Sequence, residues 1–232
     1  MACQPVKQLP SELSERALYQ NSIYDAMAPT MQEVSNDLVA IHKDNQELIW
    51  ETFDGEDYLL MLTWKSNISY YKDYAGNKGY YDTKGYPIWV TTAPELLNRM
   101  KKEKATDVDM RLKQLLGLPP SAVYSHFVEI WVKPEDLFRP CPDSNIDDSS
   151  CDLCFPAETD SLHRAWINEN RVSRYYAEGC KLEDAYPWTQ LGYTYDWNPD
   201  NPSHIGLSEF VIRKNKKVKI KAIYTTKEYL GL

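Results

Sequence analysis

The chain has 232 residues, a formal net charge of −8 at pH 7 and a hydrophobic fraction of 43%. This length favours one domain with a sizeable hydrophobic core. The negative charge argues against nucleic acid as a partner, because attraction to phosphate groups needs a positive field. No apolar run reaches the roughly 18 residues of a membrane-spanning helix, so the sequence predicts no transmembrane segment.

The beginning of the chain is predicted to be a flexible polar tail over residues 1–10, followed by a single domain over residues 11–232. From Ser11 onward, apolar residues are spaced as in amphipathic helices as far as Leu38. Pro29 is expected to separate two of these helices, because proline cannot donate the backbone hydrogen bond that a helix interior requires.

Strands are predicted over residues 58–64, 87–92, 124–132, 209–212 and 218–224, where apolar, β-branched and aromatic residues cluster or alternate. Thr92 and Glu95 have capping-box spacing, so a helix should follow the second strand. Further helices are expected between Thr106 and Gly117 and over residues 160–176. An acidic loop over residues 139–160 precedes the last of them.

The order of these elements indicates the fold class. Helices come first, and strands and helices then mix without the regular alternation of a doubly wound parallel sheet. This order predicts an α+β single domain with a mixed, largely antiparallel sheet, N-terminal helices and a long acidic loop that contains cysteines.

The acidic loop carries Cys141, Cys151 and Cys154. Two cysteines separated by two residues can share a tetrahedral zinc ion, with Cys141 as a third ligand and His163 as a fourth. A Cys141–Cys151 or Cys141–Cys154 disulfide would instead close the loop in an exported protein. Free thiols are the third alternative that the sequence leaves open.

The start of the chain bears on the compartment. The stretch MACQPVKQLP lacks the basic end and apolar run of a signal peptide, which favours a cytoplasmic protein. The alternative is an exported protein or a chain derived from a lipoprotein, because Cys3 lies where a lipidated cysteine would follow a removed leader.

Aromatic residues are distributed unusually, with 17 Tyr and 7 Trp against 5 Phe. Tyr and Trp combine a large ring with a polar tip, which suits half-buried surfaces and ligand clefts. They concentrate between residues 186 and 212, next to the isolated carboxylate of Glu209. The predicted ligand-binding residues of this stretch are Trp188, Tyr193, Tyr195, Trp197 and His204. A structural core with a hydrated edge would have the same composition.

Three segments resemble the ADP-ribosyltransferase fold. The strand that ends in Thr91-Thr92 and enters a helix through Pro94-Glu95 is similar to that family's second core motif. Residues 127–137 look like the strand and turn that follow it, and residues 209–212 with 218–220 resemble the late glutamate strand and its partner. The family's first motif places Arg or His on an early strand, whereas this chain offers Thr63-Trp64-Lys65 there.

This resemblance implies NAD as the cofactor or substrate and Glu209 as the catalytic residue. The family's glutamate binds the ribose of NAD and stabilises the positive charge that develops as nicotinamide leaves. Tyr193, Tyr195 or Trp197 would then stack on nicotinamide or adenine, and Thr91 would belong to the ligand site. The phrase from Tyr186 to Trp197 also resembles uncharacterised bacterial proteins.

The alternative is a binding module without catalysis. Its Tyr- and Trp-rich surface would hold a glycan, a peptide or a partner protein. A structural protein of the cell envelope, stabilised by the cysteine loop, is a further alternative.

Overall fold

The structure is a computed structural model that describes residues 13–176, 179, 182 and 185–232. The predicted tail over residues 1–10 lies outside these ranges, as does Cys3. The helices are α1 (Glu15–Ala26), α2 (Ala93–Glu103), α3 (Val108–Leu115), α4 (Ser161–Arg171) and α5 (Thr226–Leu230). The strands are β1 (Trp50–Phe53), β2 (Glu56–Lys65), β3 (Tyr81–Asp82), β4 (Ile88–Thr92), β5 (His126–Val132), β6 (Leu137–Phe138), β7 (Tyr193–Tyr195), β8 (Ile205–Ser208), β9 (Phe210–Ile212) and β10 (Lys217–Thr225).

The main sheet has the strand order β3-β10-β5-β2-β4-β9-β6, with β1 also paired to β2. One edge of β2 pairs along its length with β5, whereas β1 and β4 share the opposite edge. Strands β7 and β8 form a separate two-stranded sheet. Every pair among the described strands is antiparallel. The predicted α+β class with a largely antiparallel sheet is therefore confirmed.

Strand β2 is buried on both faces, which explains its continuous apolar sequence. Leu59 and Met61 belong to the hydrophobic cluster on one side of the sheet. Leu60 and Leu62 point to the other side, where residues of α2 and α3 complete a second cluster. The sheet is thus the central layer of the domain. Within the described ranges, no helix combines the length and apolar character needed to cross a membrane.

The prediction of two N-terminal helices is only half right. Helix α1 forms, but residues 31–33 make a single 3₁₀ turn and residues 34–41 have no helical structure. Leu38 and Ile41 instead donate their backbone N–H groups to the carbonyls of Ser149 and Ile146. Hydrogen bonds to a distant loop have replaced the local helical bonds that the apolar spacing favoured.

The small β7–β8 sheet was not predicted, and it brings Glu209 into place. Glu209 lies between β8 and β9 rather than inside a strand. Its backbone N–H donates to the carbonyl of Gly192 at 2.9 Å. The adjacent Ser208 pairs with Tyr193 across the small sheet. Glu209 therefore sits where the chain passes from the small sheet into the main one.

Candidate functional site

A cavity of about 280 Å³ opens beside the end of β2 and β4. Its wall combines residues from β2, β4, the α3–β5 connection, the turn after α4 and the β7 strand. Seven aromatic side chains line it: Trp64, Trp89, Tyr124, Phe127, Tyr186, Trp188 and Tyr195. Most of these rings carry a polar tip, which allows the wall to be apolar and still offer hydrogen bonds.

Hydrogen bonds and ring contacts hold the indoles of the wall in place. Trp64 stacks on Tyr124 with ring centroids 5.2 Å apart, and its indole N–H donates to Thr226 Oγ1 at 2.9 Å. Trp188 donates its indole N–H to the carbonyl of Pro140 at 3.1 Å. It also meets Trp89 edge-on, with centroids 6.2 Å apart. The cavity is thus largely pre-formed, as small-ligand sites usually are.

Glu209 supplies the carboxyl group of this cavity. Burial raises the pKa of its carboxyl from 4.5 to about 7, and the charge of Arg174 opposes the rise. A carboxyl with such a pKa changes its charge near neutral pH. It can therefore exchange a proton with a ligand or, when ionised, stabilise a positive centre.

Arg174 is a cavity residue that the sequence did not single out. It lies in the π-helical turn Val172–Tyr176, which continues α4. Its guanidinium carbon is 4.8 Å from the ring centroid of Trp89 and 5.7 Å from that of Trp188. Burial lowers the pKa of this guanidinium, while the charge of Glu209 works in the opposite direction. Arg174 thus connects the carboxyl group with the aromatic wall.

Lys65 is the second cationic residue of the wall and the last residue of β2. Burial lowers the pKa of its ammonium group. Among the described residues, none forms a salt bridge to it within 4.0 Å.

A second buried carboxyl, Glu95, lies behind the cavity in the first turn of α2. It accepts hydrogen bonds from the Thr91 hydroxyl at 3.1 Å and from the backbone N–H of Ser208 at 2.8 Å. Burial raises its pKa to about 7. Thr91 lines the cavity and Ser208 precedes Glu209, so Glu95 ties together two parts of the wall.

Four of the predicted site residues meet at this cavity. They are Glu209, Thr91, Trp188 and Tyr195. The exposed fraction of Trp188 is 4% and that of Tyr195 is also 4%, so these rings face the cavity rather than an open surface. The Tyr195 hydroxyl donates to Asp25 Oδ2 at 2.7 Å, which fixes the ring from behind.

The other three predicted ligand-binding residues do not line the cavity. Tyr193 is buried elsewhere, and its hydroxyl donates to the carbonyl of Glu33 at 2.7 Å. Trp197 is buried in a core cluster with α1, with its indole N–H on the carbonyl of Leu118. His204 stacks on Tyr195 at 4.8 Å. The structure gives these three side chains a packing role.

The cysteine loop contains a disulfide between Cys141 and Cys151, one of the alternatives from the sequence. Cys154 is exposed and outside the disulfide. His163 is buried, with Nε2 2.8 Å from the carbonyl oxygen of Cys141. Zinc requires thiolates, which disulfide sulfurs are not. Within the described part of the chain, no group of three or more His, Cys, Asp or Glu could hold a metal ion.

The sequence marks some of the remaining cavity residues as site candidates but gives no indication for others. Trp64 is the last residue of one predicted strand, and Trp89 lies inside another. A large aromatic residue at either place is a reasonable site candidate. Tyr124 and Tyr186 stood beside turns. Arg174 gave no local signal, because its place depends on how α4 packs against β4.

Comparisons with known proteins give no relative to which this geometry could be matched. No family model matches the chain, and neither curated proteins nor solved structures show a match.

Proposed function

We propose that the cavity binds the nicotinamide riboside half of NAD and that Glu209 supports cleavage of the bond between ribose and nicotinamide. The observation that carries this proposal is the placement of the Glu209 carboxyl in an aromatic-lined cavity, with a pKa of about 7. The sequence resemblance to ADP-ribosyltransferases makes NAD the first substrate to test.

The reaction mainly requires that the protein hold a negative charge near the ribose carbon. As the C1′–N bond of NAD breaks, its electron pair moves to the pyridinium nitrogen and neutralises the ring. The ribose carbon becomes oxocarbenium-like, and the ionised Glu209 carboxylate stabilises that charge. Water or the nucleophile of an acceptor then attacks the ribose carbon and loses its proton. The products are nicotinamide and either ADP-ribose or an ADP-ribosylated acceptor.

The dimensions and charges of the cavity support this assignment. Its volume of about 280 Å³ is slightly below the range of drug-sized ligand sites, which is roughly 300–1,000 Å³. Such a volume suits one ring and one sugar, so the rest of the dinucleotide would extend outward. The wall provides indole and phenol rings for stacking, and Lys65 provides a cation for a phosphate group.

The test is nicotinamide release from NAD, with the Glu209→Gln variant as the comparison. Gln keeps the size of the side chain and removes its charge, so we expect release to fall by about 100-fold or more. Release by the unaltered protein should rise as the pH increases through about 7, because the ionised carboxyl is the active form.

Glu56→Gln is the matched control, since that side chain is 57% exposed on β2 and pairs with Lys133. It should release nicotinamide at the normal rate. Nicotinamide release that is absent, or that is equal in the Glu209 variant, would reject the enzymatic proposal.

A binding module without catalysis is the second candidate. The observation that favours it is the polar-tipped aromatic wall, together with Tyr186, which lines the cavity and is 42% exposed. The buried Trp188, Tyr193, Tyr195 and Trp197 cannot form an exposed platform, so the ligand would enter the cavity. Saturable binding of a small glycan or peptide, without any turnover of NAD, would favour this candidate.

A further inference from the structure

The cavity already contains the elements of a cation site. Arg174 places its guanidinium over Trp89 and Trp188, whose rings meet nearly at right angles, at 84°. The charge of Glu209 acts on the same guanidinium. Two indole faces and one carboxylate are the groups that attract a planar cation in proteins. Here the cation is one of the protein's own side chains.

Arg174 reaches the indoles from a short turn at the end of α4. Helix α4 is fixed at its beginning, where the Asp160 carboxylate accepts from the backbone of Leu162 and His163. The following π-helical turn is a rare local structure that is often found at functional sites. The guanidinium is joined to this turn by a flexible chain of methylene groups, so a change of rotamers can withdraw it from the indoles.

The energetic balance favours exchange with a ligand cation. Burial lowers the pKa of Arg174, which means that the protein interior solvates its charge poorly. A pyridinium ring carries a delocalised charge and presents a larger flat surface to the indoles. Lys65 lies on the same wall and repels the guanidinium and a ligand cation alike, so it does not favour one over the other.

We infer that the cavity selects a cationic heteroaromatic ring and that Arg174 occupies the place of this cation as an intramolecular competitor. A ligand cation binds against Trp89 and Trp188 by displacing the guanidinium, and it gains the carboxylate of Glu209 as its counterion. This inference deepens the proposed function and rests on the same cavity. It requires no turnover, so it can be tested by binding alone.

The probes are 1-methylnicotinamide, which is a cation, and nicotinamide, which is neutral and otherwise nearly identical. Titration calorimetry on the full chain should show the cation binding about tenfold more tightly than the neutral ring. In the NMR spectrum, the side-chain Nε–H signal of Arg174 should shift on addition of the cation, because the guanidinium leaves the indole faces. Equal or tighter binding of nicotinamide would overturn the inference, as would an unshifted signal.

The Arg174→Met variant removes the competitor while keeping much of its apolar contact with the indoles. We expect its affinity for 1-methylnicotinamide to increase about tenfold and that for nicotinamide to change less than about threefold. Arg164→Met is the matched control, since it removes from helix α4 a guanidinium that lies over an aromatic ring, that of Phe155, but outside the cavity lining. It should change either affinity by less than about threefold.

An unchanged affinity in Arg174→Met, or an equal gain in Arg164→Met, would show that the guanidinium of Arg174 is not a specific competitor. If Arg174→Met melts at a much lower temperature than the unaltered protein, Arg174→Gln takes its place. The NAD assay separates the two proposals. If the protein prefers the cation but releases no nicotinamide from NAD, the enzymatic proposal is rejected and the cation site is kept. If it releases nicotinamide but does not prefer the cation, the cation site is rejected and the enzymatic proposal is kept.

Discussion

Asp196 is completely buried next to the cavity residue Tyr195, and its charge is compensated by specific partners. The two carboxylate oxygens accept from the guanidinium of Arg111 at 2.8 and 2.7 Å. Asn201 donates its side-chain amide to the same carboxylate at 2.9 Å, and Asn198 donates its backbone N–H at 3.1 Å. This pair fixes the turn between β7 and β8, and with it the back of the cavity wall.

We therefore expect Asp196→Asn to lower the free energy of unfolding by roughly 2–3 kcal/mol, because the buried Arg111 loses one of its two carboxylate partners and keeps only Glu103. Asp109→Asn is the matched control. It breaks the contact to the buried Lys113, which keeps its hydrogen bond to the carbonyl of Pro120, and should cost clearly less than Asp196→Asn because Asp109 itself is 56% exposed. Urea denaturation of both variants measures the difference, and similar losses in the two would contradict the structural role of Asp196.

At the residue scale, the sequence identified part of the site for a physical reason. Glu209 stood out as a single carboxylate at the start of an apolar run, and Trp188 and Tyr195 shared its neighbourhood in the chain. Arg174 and Lys65 could not be identified in this way, since a cation on a helix or at a strand end is normally solvated. Their place in the cavity results from contacts between distant segments.

The cysteine loop is the element that supports the cavity from outside. The disulfide closes it, and the fully buried Arg139 donates to the carbonyls of Asn145 at 3.0 Å and Asp148 at 2.7 Å. The loop residue Pro140 accepts from the indole of Trp188. A loop that was predicted only as acidic and cysteine-rich thus holds one wall of the site.

Replacing both Cys141 and Cys151 with Ser should destabilise the protein by roughly 3 kcal/mol, because the unfolded chain regains the freedom that the short closed loop removes. Cys154→Ser is the control and should leave the melting temperature unchanged, since Cys154 is exposed and outside the disulfide. Thermal melting gives the stabilities. Peptide mapping without reductant should recover Cys141 linked to Cys151, and recovery of a different pair would contradict this disulfide.

Elements with a clear apolar pattern of their own were predicted, whereas segments whose structure depends on distant contacts were not. Strands β2, β4 and β5 and helices α2 and α3 were predicted because their apolar patterns already match the buried faces that they form. Residues 31–38 had a helical pattern, but only residues 31–33 form a 3₁₀ turn, and Leu38 bonds to the carbonyl of Ser149 in the cysteine loop. Strands β7 and β8 have only three and four residues, too few for a recognisable alternation.

At the scale of the whole molecule, the two buried carboxyl groups should shape stability against pH. Burial raises the pKa of Glu95 and of Glu209 from 4.5 to about 7, so the folded state holds these protons more tightly than the unfolded state does. The contribution of these two groups to the free energy of unfolding is therefore greatest below about pH 4.5. It should fall as the pH rises toward about 7 and then level off.

The decrease should be on the order of 2–3 kcal/mol for each group. Denaturation with urea at a series of pH values measures it, and Glu209→Gln should remove about half of the slope between pH 5 and 7. Glu56→Gln should leave the slope unchanged, because that side chain is largely solvent-exposed. A slope that is identical in the unaltered protein and in the Glu209 variant would contradict the assigned burial.

The position of Glu209 between β8 and β9 affects when the cavity forms during folding. Strand β8 belongs to the small β7–β8 sheet and β9 to the main sheet, so Glu209 lies at the junction of the two sheets. An intermediate with only the large sheet assembled would lack a competent pocket, however native its helices. Recovery of ligand binding during refolding would then report when the small β7–β8 sheet docks onto the main sheet.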